Sequence, residues 1–266
     1  MKNSSNSSFA LITGASSGIG LELAKEFASH NINLIITARS TEKLNQLASD
    51  LIKNYQIQVI CFTADLSNSN EVRALYDFTK EKKLPIDYLV NNAGFGSMGN
   101  FYEGEWSNEL EMINLNINAL THLTKLFLKD MVQAGEGKIL NVASTAAFQP
   151  GPLMSVYYAS KAYVLSFTEG VSEELKGTGV TITALCPGPT KSGFQAKADI
   201  ENSRILKSLP IATSESVAKY GFKAMMNGTV VAIPGLMNKI GAFSPRFTPR
   251  SWARKITKSL HLSVNK

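Results

Sequence analysis

Seven short apolar segments recur along the chain, and helical patterns separate them. Most of these segments do not alternate apolar with polar residues, which is typical of strands buried on both faces of a parallel sheet. The stretches between them, such as LELAKEFASH at 21–30, carry apolar residues at helical spacing. Alternating strands and helices predict right-handed βαβ units, and hence a doubly wound parallel α/β sheet of about seven strands. The predicted strands are 9–14, 32–38, 57–64, 86–92, 137–144, 180–188 and 229–235.

Nothing in the composition divides the chain into several domains. Of its 266 residues, 44% are hydrophobic, and no repeat, low-complexity tract or Pro/Gly linker interrupts them. We therefore predict one domain over 1–245 and a separate tail over 246–266. The polar opening MKNSSNSS and the absence of a long apolar run argue against a signal peptide or a membrane span. The expected location is the cytoplasm, with Cys61 and Cys186 as reduced core thiols.

The positive charge of the chain is concentrated in its C-terminal part. Nine of the 27 basic residues and none of the 21 acidic residues follow Glu215. In the tail, Trp252, Ile256 and Leu260 lie four residues apart, and basic residues repeat at the same interval, which predicts a basic amphipathic helix. Such a helix could bind an anionic membrane surface, or pack on the protein body or on another subunit. Nucleic-acid binding is not expected, because it needs more than a basic stripe. The three histidines, His30, His122 and His261, lack ligand spacing, so no metal site is predicted.

A glycine-rich segment, TGASSGIG at 13–20, follows the first predicted strand and leads into a helix. Gly14, Gly18 and Gly20 would let the backbone turn tightly against a pyrophosphate, and the helix N-terminus would attract its charge. The spacing differs from the dinucleotide-binding pattern G-x-G-x-x-G. The alternative is a plain strand-to-helix turn, but the position in the first βα unit favours a dinucleotide.

Arg39 lies at the end of the second predicted strand, 19 residues after Gly20. A carboxylate at this place would bind the ribose hydroxyls of NAD, whereas an arginine suits the 2′-phosphate of NADP. No Asp or Glu occurs from Leu34 to Thr41. We therefore expect NADP(H) as the cofactor and NAD(H) as the less favoured one. The alternative is that Arg39 is a solvated arginine at the end of a strand.

Two adjacent tyrosines precede a lysine in SVYYASKAYV at 155–164. In a helix, Tyr157 lies four residues before Lys161 and Tyr158 lies three before it, so either could share its face. An ammonium group beside a phenol favours the phenolate and would lower the pKa of the tyrosine towards the working pH of a general acid or base. Helical spacing alone leaves the choice between the two tyrosines open.

Five motifs together resemble the short-chain dehydrogenase/reductase family. They are TGASSGIG, NNAG at 91–94, Ser144, YYASK at 157–161 and PGPT at 187–190, in order over residues 9–235. The resemblance implies a Rossmann-type fold and reversible hydride transfer between NAD(P)(H) and a small-molecule carbonyl or alcohol. It also implies a homodimer or homotetramer.

The catalytic residues follow from this resemblance. The family pattern Tyr-x-x-x-Lys fits Tyr157 and Lys161, and Ser144 lies 13 residues before Tyr157. Tyr157 would act as general acid/base, Lys161 would tune it and hold the nicotinamide ribose, and Ser144 would orient the substrate oxygen. Asn116, with Asn114 and Asn118 as open alternatives, would support a water next to Lys161. Tyr158 is then interpreted as a packing residue.

The cofactor contacts implied by the resemblance lie at the strand ends. Asp65 matches a residue that contacts adenine, although it could simply cap the next helix. The implied contacts are Gly14, Ser16, Ser17, Gly18, Ile19, Gly20, Arg39, Asp65, Leu66, Asn91, Ala93, Gly94, Tyr157, Lys161, Pro187, Gly188 and Thr190.

The segment 190–214 corresponds by resemblance to a mobile substrate loop. Its apolar residues, together with 95–101 and 146–154, favour a lipophilic carbonyl such as a fatty-acyl or steroid-like one. The apolar residues of the loop are Phe194, Ile205, Leu206 and Leu209. Two other functions are compatible with the fold: a non-catalytic nucleotide sensor or scaffold, and an epimerase or dehydratase.

Overall fold

The computed structural model of the protein describes residues 8–193 and 211–262. The strands in these ranges are β1 (Phe9–Thr13), β2 (Asn33–Ala38), β3 (Val59–Thr63), β4 (Ile86–Asn91), β5 (Gly137–Val142), β6 (Val180–Leu185), β7 (Thr190–Lys191), β8 (Ala212–Thr213) and β9 (Val231–Ala232). Seven of them form one parallel sheet in the order β3-β2-β1-β4-β5-β6-β9, and β7 pairs with β8 in a separate two-stranded sheet. The predicted doubly wound α/β sheet is confirmed.

Helices cover both faces of this sheet. They are α1 (Gly18–Ser29), α2 (Thr41–Tyr55), α3 (Ser69–Glu81), α4 (Trp106–Ile113), α5 (Leu120–Ala134), α6 (Ser155–Glu174), α7 (Ser214–Met226), α8 (Leu236–Phe243) and α9 (Arg250–His261). A π-helical segment, Asn114–Ala119, joins α4 to α5, and 3₁₀ turns span Thr145–Phe148 and Ser244–Arg246.

The core consists of two main layers, one on each face of the sheet. Neighbouring residues of β1 point to opposite layers: Ile12 packs with Phe27 of α1 and Leu44 of α2, whereas Leu11 packs with Phe127 of α5. All of these side chains are fully or almost fully buried. Burial on both faces explains why the strand segments read as continuous apolar runs.

The strand order reverses at β1, which pairs with β2 on one side and with β4 on the other. A crevice opens beyond the carboxyl ends of the strands at such a reversal, and ligands of doubly wound folds bind there. The glycine-rich turn directly follows β1, so the topology places it at this crevice.

The helix predicted in the C-terminal tail is present as α9, but it does not dock through the predicted apolar stripe. The residues that α9 buries are Ala253, Thr257 and His261, while Trp252 and Ile256 stay exposed. The buried face of α9 is therefore shifted by one residue from the predicted stripe, and it includes two polar side chains, Thr257 and His261. The domain boundary at 245 stays a prediction. Among the described helices, none combines the length and the apolarity needed to cross a bilayer.

Candidate active site

A cavity of about 490 Å³ lies at the carboxyl ends of the strands. It is lined by the residues after β1, β2, β3, β4, β5 and β6 and by one face of α6. Most of the predicted site residues meet in it: Gly14, Ser16, Ser17, Gly18, Ile19, Arg39, Asp65, Leu66, Ala93, Gly94, Ser144, Tyr157, Lys161, Pro187, Gly188 and Thr190. The exceptions are Gly20, Asn91 and Asn116, which support the cavity from behind.

Backbone conformation and close contacts make glycine necessary at three positions after β1. Gly14 has φ +66° and Gly18 has φ +57°, a backbone conformation that side chains disfavour. A Cβ atom on Gly14 would lie 2.9 Å from the Cα of Ala93, and one on Gly20 would overlap the carbonyl oxygen of Gly14. Ser17 is the N-cap residue of α1, and its side chain makes no cap bond. The backbone amides in the first turn of α1 can therefore bind an anion.

The turns after β1 and β4 are held together by two residues that sequence reasoning missed. The hydroxyl oxygen of Thr13 accepts hydrogen bonds from the amides of Asn92 and Ala93, each at 2.9 Å. The Asn92 side chain donates to the Thr13 carbonyl at 2.9 Å. Both residues stand inside the motifs TGASSGIG and NNAG, so the motifs held the signal. These bonds fix the spacing between the two turns.

The prediction that Asn91 lines the cofactor site is wrong in this structure. Its side chain is buried, and its Nδ2 donates to Thr124 at 3.0 Å and to Asn141 at 2.9 Å. Asn92 lines the cavity instead. Successive strand residues point to opposite faces, so only one of two adjacent asparagines can face the crevice.

Arg39 lies at one end of the cavity between two carboxylates. Its Nη1 donates to Glu111 at 2.8 Å and lies 3.8 Å from an Asp65 oxygen, and its side chain is 52% exposed. Lys43 in the first turn of α2 lines the same end and was not predicted. Asp65 lines the cavity and accepts two hydrogen bonds from Ser67. It does not cap the next helix, because the N-cap of α3 is Asn68.

Tyr157 and Lys161 project from the same face of α6 into the cavity, one turn apart. The hydroxyl of Tyr157 is hydrogen-bonded to the hydroxyl of Ser144, which follows β5. Lys161 is 5% exposed, and its Nζ donates to the Val142 carbonyl at 2.7 Å and lies 5.8 Å from the centre of the Tyr157 ring. The structure thus brings Ser144, Tyr157 and Lys161 together.

The expectation that Lys161 lowers the pKa of Tyr157 is wrong: in the structure this pKa is raised. Burial raises the pKa of Tyr157 to about 12, and only the hydrogen bond from Ser144 acts in the opposite direction. Burial also lowers the pKa of Lys161 to about 8. The ammonium group of Lys161 donates to the Val142 carbonyl. Desolvation is the largest cause of both pKa shifts. Tyr157 therefore keeps its proton at neutral pH.

The lowered pKa of Lys161 makes its contribution to stability depend on pH. The unfolded chain keeps this proton up to about pH 10.4, while the folded protein loses it near pH 8. The buried, protonated Lys161 therefore destabilises the folded protein below pH 8. This destabilisation decreases as the pH rises towards 10.4. We expect the stability advantage of Lys161→Met over wild type to shrink by on the order of 2–3 kcal/mol between pH 7 and pH 10.

Urea unfolding at pH 7, 8.5 and 10 measures this change, because the difference between variant and wild type cancels the other titrating groups. Lys125→Met, on an exposed position of α5, is the control and should show no such trend. A difference that stays constant or grows with pH would contradict the buried, weakly basic Lys161.

The structure distinguishes among the three asparagines of the 114–118 segment. Asn116 is 1% exposed; its side chain accepts from the amide of Phe95 and donates to the Phe95 carbonyl and to Ser160. A Cβ atom on Gly94 would lie 2.9 Å from its Oδ1 and 3.5 Å from Nζ of Lys161. Asn114 and Asn118 instead pair with each other at 2.8 Å on the outer side. Asn116 is therefore the asparagine that supports the site.

Tyr158 packs against the cavity wall and reaches the C-terminal helix. It is 6% exposed, and its hydroxyl lies 2.8 Å from Nε2 of His261. Sequence reasoning identified Tyr158 as a packing residue but missed His261, which also lines the cavity. No local pattern announces this contact, because the two residues are 103 positions apart.

Around Tyr157, the described part of the cavity wall is mostly apolar. Phe95, Ala146 and Met154 contribute apolar surface, and Gln149 contributes an amide. The predicted loop residues Phe194, Ile205, Leu206 and Leu209 lie outside the described residues.

Known proteins resemble this chain over most of its length. A family model described as short chain dehydrogenase matches residues 8–203. The ketoacyl reductase HetN of Nostoc sp. is 32% identical over 251 residues, which cover 90% of this chain and 86% of that protein. The 17-beta-hydroxysteroid dehydrogenase type 3 of Mus musculus is 37% identical over 67% of this chain and 59% of its own length.

Among solved structures, a short-chain dehydrogenase from Sphingobium yanoikuyae in complex with NADPH superposes with a TM-score of 0.81. It is 30% identical and covers 90% of this chain and 93% of its own. A short-chain dehydrogenase/reductase from Burkholderia phymatum in complex with NAD gives a TM-score of 0.79 at 24% identity, with 91% and 92% covered.

Proposed function

The chain belongs to the short-chain dehydrogenase family and is an oxidoreductase of the class that acts on a CH–OH/C=O pair, and from this premise we propose that it is an NADP(H)-dependent carbonyl reductase with Tyr157 as general acid/base. The single observation that carries the proposal is the hydrogen-bonded pair Ser144 and Tyr157 beside Lys161 in the cavity.

The residues present fit a nicotinamide dinucleotide. Gly14 and Gly20 let the turn after β1 pack closely against Ala93 and Asn92 at the edge of the cavity, and the start of α1, where the Ser17 side chain makes no cap bond, suits a pyrophosphate. From there the cavity continues to Lys161, which is placed to hold the nicotinamide ribose. When bound, the nicotinamide supplies the hydride for reduction or accepts it in oxidation.

The remaining chemistry belongs to the side chains. In reduction, the hydroxyls of Ser144 and Tyr157 bind the carbonyl oxygen, and Tyr157 donates its proton as negative charge develops there. Its pKa of about 12 keeps this proton available at neutral pH. In oxidation Tyr157 works in the opposite direction: it first loses its own proton, and its phenolate then accepts the hydroxyl proton of the alcohol. Asn116 keeps Gly94 and Phe95 in place behind Lys161.

Arg39 supports the choice of NADP(H). A guanidinium group binds a phosphate bidentately, and Lys43 adds a second positive charge at the same end of the cavity. Glu111 and Asp65 already contact Arg39, so a 2′-phosphate would compete with these carboxylates. The structural relatives include one complex with NADPH and one with NAD; the basic pair is what favours NADP(H) here.

The proposed substrate is a lipophilic small-molecule carbonyl or alcohol, such as a fatty-acyl or steroid-like one. The apolar surface of Phe95, Ala146 and Met154 supports it, as do relatives named as ketoacyl reductase and hydroxysteroid dehydrogenase. An NADPH-oxidation screen over aldehydes, ketones, 3-oxoacyl thioesters and steroids tests the function. Turnover of one of these classes is expected. No NADPH consumption with any carbonyl would favour a nucleotide sensor, or an epimerase or dehydratase.

We also propose that the protein works in the cytoplasm as a homodimer or homotetramer, in line with its family. Sedimentation equilibrium of the purified chain should give two or four times the monomer mass of 28.9 kDa.

The C-terminal part also carries a candidate membrane-contact surface, defined here by Leu236, Met237, Phe243, Phe247 and Trp252. All five side chains are more than half exposed, Phe247 as much as 87%. The charged residues of this C-terminal part are all basic, since no acidic residue follows Glu215. A second copy of such a surface would be repelled, whereas anionic lipid would be attracted.

The two tryptophans of the chain allow a direct test of this contact. Trp252 is 62% exposed and Trp106 is 61% exposed, so each serves as the control for the other. In Trp106→Phe, vesicles rich in phosphatidylserine at low salt should shift the Trp252 emission to the blue. Phosphatidylcholine vesicles should not shift it, and neither should anionic vesicles added to Trp252→Phe. An unchanged Trp252 emission with anionic vesicles would exclude the contact.

A further inference from the structure

The last turn of α9 inserts a histidine into the substrate end of the cavity. His261 is 2% exposed and lines the cavity together with Tyr158 and Met154. Its Nε2 lies 2.8 Å from the hydroxyl of Tyr158, and its Nδ1 lies 2.7 Å from the carbonyl oxygen of Pro152. One ring thus connects the C-terminal helix to α6 and to the loop that precedes it.

The direction of both hydrogen bonds follows from the chemistry of the partners. The Pro152 carbonyl can only accept, so Nδ1 of His261 carries the proton and donates. Nε2 of the neutral ring therefore accepts, and the Tyr158 hydroxyl donates to it. Burial favours this arrangement, because it lowers the pKa of His261 and raises the pKa of Tyr158. Every polar atom of the pair is thereby satisfied inside the protein.

The loop held by this histidine, 151–154, is shaped by several further constraints. A Cβ atom on Gly151 would overlap the Tyr158 ring. Leu153 has φ +71°, a left-handed backbone conformation that residues with a side chain disfavour. Its carbonyl accepts from the Gly99 amide at 2.8 Å, and the Met154 amide donates to Gly151 at 3.1 Å. The His261 bond to Pro152 is one of the contacts that keep the loop in this strained form.

We propose that His261 is a positioning residue for the carbonyl substrate: by tying Tyr158 and Pro152 to α9, it fixes the wall of the cavity that faces the substrate. This inference rests on the proposed function. The tied elements lie directly before and beside Tyr157, whereas the glycine turn and Arg39 lie at the other end of the cavity. Loss of the ring should therefore affect substrate binding and leave cofactor binding intact.

Four variants separate this role from general stabilisation. His261→Ala removes the hydrogen bonds to Tyr158 and to Pro152. Tyr158→Phe removes only the bond between residues 158 and 261 and keeps the aromatic ring at position 158. His261→Asn retains a donor near Nδ1 and should keep the bond to Pro152. Ser259→Ala, on the exposed outer side of the same helix, is the matched control.

The kinetic readout is NADPH-dependent reduction of 3-oxohexadecanoyl-CoA, with the NADPH dissociation constant measured separately by fluorescence. We expect the KM for the thioester to rise about 5–10-fold in His261→Ala, the effect of one or two lost hydrogen bonds, and less in His261→Asn. The NADPH dissociation constant should stay within about twofold of wild type. Tyr158→Phe combined with His261→Ala should add little to His261→Ala alone, because both act through the same bond.

A second readout needs no substrate. Hydrogen exchange of the Gly99 and Met154 amides should accelerate about tenfold in His261→Ala and stay unchanged in Ser259→Ala. The proposal is overturned if exchange does not change, if the KM of His261→Ala matches that of Ser259→Ala, or if NADPH binding weakens as much as substrate binding. If wild type does not reduce this thioester, a 3-oxoacyl substrate is excluded, while the other carbonyl classes of the screen are still tested. The exchange rates and the KM for a carbonyl from the screen then decide the role of His261.

Discussion

Replacing Tyr157 with Phe is expected to lower kcat for carbonyl reduction about 10³-fold, while the dissociation constant for NADPH changes little. General acid catalysis by a positioned side chain contributes about 10²–10⁴-fold, and the substitution removes the only proton that this side chain can deliver. The phenyl ring fills the same buried space, so the fold should tolerate the change. Single-turnover oxidation of bound NADPH measures the chemical step directly.

Tyr163→Phe is the matched control for this prediction. It removes a phenolic hydroxyl from the same helix, but that hydroxyl contacts Thr121 at 3.1 Å outside the cavity. Its kcat should equal that of wild type. Tyr158→Phe should keep a kcat far above that of Tyr157→Phe, which distinguishes the two adjacent tyrosines. Near-normal turnover in Tyr157→Phe would refute the assigned acid.

The second large effect is expected from Arg39→Asp, which should lower kcat/KM for NADPH about 100-fold and raise it for NADH. The substitution replaces a bidentate phosphate ligand with a carboxylate that repels phosphate and can accept from ribose hydroxyls. The change should be smaller at high salt, because Arg39 is half exposed. Steady-state kinetics with both cofactors measure the preference.

Glu111→Gln provides the complementary variant. It removes the negative charge 2.8 Å from the Arg39 guanidinium, so Arg39 becomes more available and NADPH affinity should rise a few-fold. Lys129→Gln, an exposed charge change on α5 outside the cavity, serves as the control and should leave both cofactors unaffected. A wild-type preference for NADH that Arg39→Asp leaves unchanged would contradict the role of Arg39.

Much of the architecture was predictable because its signals are local. Buried parallel strands read as continuous apolar runs, and the amphipathic stretches between them read as helices. The predicted strands therefore coincide with β1 to β6 within a few residues, and the seventh contains β9. The glycine turn was equally predictable, since Gly14 and Gly18 take left-handed backbone conformations that glycine favours.

The candidate site was predictable wherever a motif places a side chain after a strand or on one helix face. Ser144, Tyr157 and Lys161 meet as the resemblance implied. Adjacent residues were harder: of Asn91 and Asn92, the pleat of β4 turns only the second to the cavity. The choice among Asn114, Asn116 and Asn118 depended on burial against Phe95, which comes from another part of the chain.

The sequence by itself determined the order of strands and helices, the glycine turn and the types of residue that follow each strand, because these depend on neighbours within one element. Only the tertiary structure decided which partners these residues meet. Arg39 finds Glu111 across 72 positions and Tyr158 finds His261 across 103. It also decided the pKa shifts of Tyr157 and Lys161, since removal from water is the largest cause of both. Burial and long-range contacts arise from packing, and no local pattern encodes them.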